Sequence, residues 1–192
     1  VRRGNIVVYP RYQARLTTPP RRFLPAVTDA LKQAIKELEK EGNVRPDLKQ
    51  FAIVGHSVGG VLSANVAAIA EREGLPVPRA VMSVQPGKTS AGRIRFGLQL
   101  EDLSKIPAET LLLCLVGDRD RICGDRDARR ILRGATSVKA ANKNLVIMRS
   151  DTRGKPPLMA DHFAPLAGSV KWAAVNALDY YGTWKLFDSL CD

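Results

Sequence analysis

The sequence predicts an α/β fold: a mostly parallel, doubly wound sheet flanked by helices. Strand-like and helix-like runs alternate along all 192 residues, which implies βαβ units. The central strand candidates are apolar at every position, as strands covered on both faces are. A glycine-rich turn joins one strand directly to a helix. The length suits one domain over residues 1–192 with a substantial core, and 45% hydrophobic residues is a globular composition.

The elements follow in order. "NIVVYP" (5–10) is a β-branched run ending at Pro10 and predicts a buried strand. "RYQARLTTPPRR" is polar and proline-containing, hence a loop. Leu24, Val27, Leu31, Ile35 and Leu38 recur at helical spacing before Gly42, which predicts an amphipathic helix. "FAIVG" is a strand, and "VGGVLSANVAAIAEREG" a helix small or apolar on nearly every face, as close packing on a sheet requires. "RAVMSVQPG" gives a strand and turn, and "TLLLCLVG" a uniformly apolar strand. "DRDARRIL" predicts a short helix with Asp125 as its N-cap. "NLVIMRS" is a further strand, and "SVKWAAVNALDYYGTWKLFDSL" one or two terminal helices. The insertion at 85–107 either walls a pocket through Ile94, Phe96 and Leu98 or covers the core with them.

The formal net charge of +11 favours acidic partners non-specifically. Lys and Arg are scattered, however, aromatics are 6%, and no nucleic-acid-binding motif occurs, so the excess is read as solvated surface with no specific nucleic-acid partner. No apolar run approaches the roughly 20 residues that span a bilayer. Cys114, Cys123 and Cys191 lack metal-ligand spacing, and no metal is expected. The chain opens without Met and enters almost at once into a strand, so it is expected to start inside a domain. Location, cytoplasmic or secreted, and oligomeric state are not legible.

The turn in "FAIVGHSVGG" (51–60) carries the chemistry. Ser57 follows a strand without a gap, precedes a helix, and has Gly55 and Gly59 on either side: G-x-S-x-G in strand–turn–helix context. A serine at the tip of so sharp a turn sits in strained backbone, and side chains at the two glycines are expected to collide with the adjacent strand and helix. Its oxygen then stands at a helix N-terminus, with the Val58 backbone N–H as the first oxyanion donor. Glycine-rich turns of this kind also occur in nucleotide-binding folds and plain connections.

A serine nucleophile needs a base. Of the two histidines, His56 adjoins Ser57, so its side chain points elsewhere and reads as a packed residue at the strand end. His162, in "PPLMADHFAPLAG" after the last strand, remains. The acid belongs between them, at the end of "TLLLCLVG". Asp120 is preferred, with Asp118 as a turn residue and Asp161 as a local loop residue. Phe163, beside the histidine, is the candidate substrate contact.

The order Ser57, Asp120, His162 resembles that of the α/β-hydrolase family, specifically its lipase, esterase and cutinase-like members. "GHSVGG" is similar to the nucleophile elbow, "LVGDRD" to the acid turn and "DHFAP" to the histidine loop. The resemblance implies hydrolysis of a small-molecule or lipid ester through an acyl-enzyme, without a metal or organic cofactor. Thioesterase or peptidase activity on the same fold is the alternative, as is a non-catalytic protein that binds an anionic partner. One departure stands out: no HG sequence, the usual source of a second oxyanion donor, precedes Ser57. The resemblance places that loop upstream of Val1, in a chain incomplete at its N-terminus.

Overall fold

The computed structural model describes residues 4–87, 89, 97–166 and 173–192. Ile94 and Phe96 lie outside the described residues. Four strands form one parallel sheet in sequential order: β1 (Ala52–His56), β2 (Ala80–Val84), β3 (Leu111–Gly117) and β4 (Lys143–Met148). The helices are α1 (Phe23–Leu38), α2 (Val58–Ile69), α3 (Arg126–Gly134) and α4 (Lys185–Cys191), with a π-helical segment, Leu178–Trp184, running into the last.

Strand β3 lies between β2 and β4 and alternates its side chains between two cores. Leu112, Cys114 and Val116 pack with Ala64, Ala67 and Ala68 of α2 and with Ala128 and Ile131 of α3. Leu113 and Leu115 join Met82, Val84 and Met148 on the opposite face, under Leu178, Leu186, Phe187 and Leu190. On the α2/α3 side, burial pushes the Cys114 thiol up to about 12. Helix α2 is buried from Gly60 to Ile69, which accounts for its small, apolar sequence. Helix α1 lays Phe23, Val27 and Leu31 on Val61, Leu62 and Val66 of α2. Leu98 packs into this same cluster, so it covers the core rather than walling a pocket.

Three local expectations need correction. Residues 5–10 form no strand, and Ile6, Val7, Val8 and Tyr9 are exposed. A β-branched run becomes a strand only beside a partner, and among the described residues none pairs with this one. Asp125 occupies the N-cap position of α3 without a capping hydrogen bond; its carboxylate instead accepts from Arg129 Nε at 2.8 Å, and the ion pair replaces the cap. At the glycine-rich turn the close approaches are at Gly55 and Gly60, not Gly59. A Cβ at Gly55 would lie 2.2 Å from the Gly59 carbonyl oxygen, and one at Gly60 3.1 Å from Ser83 Oγ, whereas one at Gly59 meets nothing within 4 Å.

Candidate active site

The carboxyl ends of all four parallel strands contribute to the site. Ser57 follows β1, Gln85 follows β2, Asp118 and Asp120 follow β3, and His162 lies in the loop after β4. Ser57 has φ 57° and ψ −120°, a conformation costly for any residue with a Cβ. The turn survives because its surroundings over-determine it. Ser57 N–H donates to the Val84 carbonyl at 2.9 Å, and its own carbonyl accepts from Gly60 at 3.0 Å. Val58 opens α2, and the first N–H groups of a helix have no intrahelical acceptor.

Ser57, His162 and Asp120, far apart in sequence, form one hydrogen-bonded line. His162 Nδ1 is 2.9 Å from Asp120 Oδ2, and Nε2 is 3.0 Å from Ser57 Oγ. Since a carboxylate only accepts, Nδ1–H donates to Asp120; in the neutral ring Nε2 then accepts from the serine hydroxyl. Asp120 and His162 are each 7% exposed. Burial works against the charge of Asp120. The N–H groups of Cys123 and Ile122, both at 2.9 Å from Oδ1, and the His162 ring outweigh it and hold the carboxyl below its ordinary range.

Phe163 meets the His162 ring edge-on, with centroids 6.0 Å apart. Asp161 is a local turn residue, its carboxylate accepting from Phe163 N–H at 2.9 Å. Asp118 stays away from the histidine but holds its loop. Its carboxylate accepts from Ser150 N–H (3.0 Å) and Oγ–H (2.6 Å), and Ser150 Oγ in turn accepts from Ala160 N–H at 2.9 Å.

Sequence reasoning missed Gln85. This residue is fully buried, has φ 43°, and spans two parts of the site. Its amide Nε2–H donates to the Asp161 carbonyl at 2.7 Å, and Oε1 accepts from His56 Nε2–H at 3.2 Å. His56 is thus packed, as expected, but packed against the histidine loop, 4.7 Å from the His162 ring centroid. Burial, then the proximity of His162, lowers its pKa, and the Gln85 bond only partly offsets this. Gly117 permits the close approach: a Cβ there would strike the Ala160 carbonyl oxygen at 2.1 Å and Gln85 Nε2 at 2.8 Å. No motif marks "SVQPG" for this role, because its partners come from distant segments.

The architecture has counterparts among solved structures. An alpha/beta hydrolase enzyme, MGS-M1, from a Medee basin deep-sea metagenome library superposes with a TM-score of 0.62 at 15% identity, covering 95% of this chain and 70% of its own. A bacterial heroin esterase gives 0.59 at 16% identity, over 94% and 62% of the two chains. A fungal esterase from Rhizomucor miehei gives 0.57 at 14% identity, over 93% and 62%. At these identities the likeness is one of fold, and this chain spans less than two thirds of the two esterases' lengths. No curated protein matches the sequence. The family profile described as the alpha/beta hydrolase fold does match it, over residues 2–111, a stretch that contains Ser57 and exceeds half of the 192 residues. With that match and a parallel sheet whose strand ends gather the site, the chain belongs to the alpha/beta hydrolase fold family.

Proposed function

We propose that the chain is a serine hydrolase of carboxylic esters, with Ser57 as nucleophile, His162 as general base and acid, and Asp120 as the group that orients the imidazole. The observation that carries this reading is the continuous line from Ser57 Oγ through His162 to Asp120, at 3.0 and 2.9 Å. Ser57 Oγ attacks the ester carbonyl while His162 Nε2 takes its proton, and Asp120 stabilises the imidazolium that forms. The tetrahedral oxyanion develops beside the Val58 N–H and the positive end of α2. Collapse expels the alcohol with the proton from His162. Water, deprotonated by the same nitrogen, then attacks the acyl-Ser57 ester and returns the free serine. Phe163 offers an apolar edge to the acyl or alcohol group, which suits small-molecule and lipid esters alike.

The test is turnover of p-nitrophenyl esters of increasing acyl length. The reading expects burst kinetics, as an acyl-enzyme produces, and their loss in Ser57→Ala. Turnover of amides or thioesters at comparable rates would replace ester hydrolysis by the wider acyl-transfer class. Turnover that survives in Ser57→Ala would overturn the assignment.

A further inference from the structure

Cys123 places its Sγ 4.0 Å from His162 Nε2, the nitrogen that also faces Ser57 Oγ at 3.0 Å. The thiol is seated there by two features of the fold. Asp120 Oδ1 accepts from the Cys123 backbone N–H at 2.9 Å while Oδ2 holds His162 Nδ1, so one carboxylate fixes the Cys123 backbone and the His162 ring together. Gly87 supplies the space: a Cβ there would lie 2.0 Å from the Cys123 sulfur. Asp120, Cys123 and His162 together bring a carboxylate oxygen, a sulfur and a ring nitrogen within 4.8 Å of one another.

We propose that Cys123 Sγ and His162 Nε2 form a binding site for a thiophilic divalent cation, Zn²⁺ foremost, which shuts the Ser57 centre when it binds. Thiolate and imidazole are the donors that select zinc over hard cations. Zinc bonds of about 2.3 Å to sulfur and about 2.0–2.1 Å to nitrogen add to slightly more than the observed gap, so the ion fits just off the line between them, and a contraction of about half an ångström gives a tetrahedral angle. Asp120 on Nδ1 supplies the carboxylate–histidine pairing that orients zinc-binding imidazoles. Ser57 Oγ and water complete four-coordination. Binding releases the thiol proton to solvent and involves no redox change. The ion occupies the lone pair that receives the serine proton, so metal and turnover exclude each other. This consequence rests on the proposed hydrolase function, whereas the binding rests on the geometry alone.

Titration with Co²⁺, followed by absorption, separates the two. The proposal expects a near-ultraviolet thiolate-to-cobalt charge-transfer band that saturates at one equivalent in the native chain. Cys123→Ser and His162→Ala, each checked for folding by circular dichroism, are expected to lose it. Zn²⁺ should abolish ester turnover reversibly, with recovery on adding EDTA. Measured against its own turnover without metal, Cys123→Ser should need at least about tenfold more zinc for half inhibition than the native chain does. No band in the native chain, or a band that persists in Cys123→Ser, overturns the site, even if turnover is present. A band that obeys both variants in a chain without turnover supports the metal site and overturns the hydrolase reading.

Discussion

Two neighbouring turns of this molecule make an instructive pair. Ser57 and Gln85 are the only non-glycine residues with positive φ among the described residues, at 57° and 43°. They occupy equivalent places, since His56 and Val84 are register partners at the ends of β1 and β2, and Ser57 and Gln85 come next. Each is held by a backbone bond to the adjoining strand end, Ser57 N–H to Val84 and Gln85 N–H to Leu115 at 2.7 Å. Their side chains then diverge. Ser57 is half-buried at a helix N-terminus with its hydroxyl on an imidazole; Gln85 is wholly buried with its amide between His56 and the histidine loop. The same backbone strain thus serves two ends: one turn presents the hydroxyl that the proposed function makes the nucleophile, and the other holds the loop that carries His162.

The largest effect is expected on the reacting side. Asp120→Asn should leave the fold in place but favour the wrong imidazole tautomer and lower kcat roughly 10⁴-fold, measured as initial ester-hydrolysis rates. On the holding side, Gln85→Ala strands His56 Nε2–H and the Asp161 carbonyl, and should cost about 1–3 kcal/mol in denaturant unfolding. Because the base is then less well placed, kcat should fall about tenfold with KM little changed. A loss of stability without a change in kcat would make Gln85 a fold residue only, and the pairing of the two turns would fail.

The strain itself is tested by comparing Ser57→Gly with Ser57→Ala. Both remove the hydroxyl, but glycine tolerates φ 57°, so the glycine form should be the more stable by about 1 kcal/mol. The smallest effect concerns His56. Its folded pKa lies below the ordinary 6.5, for burial and the nearby His162 both disfavour the charged ring. The unfolded chain therefore binds more protons there, and the stability contribution is complete above the ordinary value and lost as pH falls through the lowered one. His56→Gln should flatten the decline of melting temperature below that value relative to the native chain.

What the sequence made legible follows from how local each signal is. The Ser57 turn was readable because its glycines, strand and helix are contiguous; Asp120 and His162 were selected by chain order and by their places after strands. Helices α1 to α3 and β2 to β4 were readable from periodicity and apolar runs. Of the terminal helices expected from residue 169, the first four residues lie outside the described residues, 173–176 are not helical, and the helical part is the π-helical Leu178–Trp184 running into α4. "NIVVYP" and "TLLLCLVG" show the limit: both are apolar and β-branched or aliphatic, but only the second lies between two partner strands, and pairing is not a local property. Gln85 and Cys123 were silent for a related reason. Each acquires its role through a close approach at a glycine, Gly117 and Gly87 respectively, between segments distant in sequence. Asp118 was rightly separated from the histidine ring, but its hold on Ser150 required the loop to be seen.

The central claim is that Ser57 is an activated nucleophile with His162 as its base. The most direct measurement is intact-mass and peptide mapping after treatment with a fluorophosphonate probe, for the native chain, Ser57→Ala and His162→Ala. A single adduct on Ser57, lost in Ser57→Ala and strongly slowed in His162→Ala, is the predicted result. A native chain that stays unmodified, or an adduct on Ser57 that forms equally fast without His162, would contradict the account.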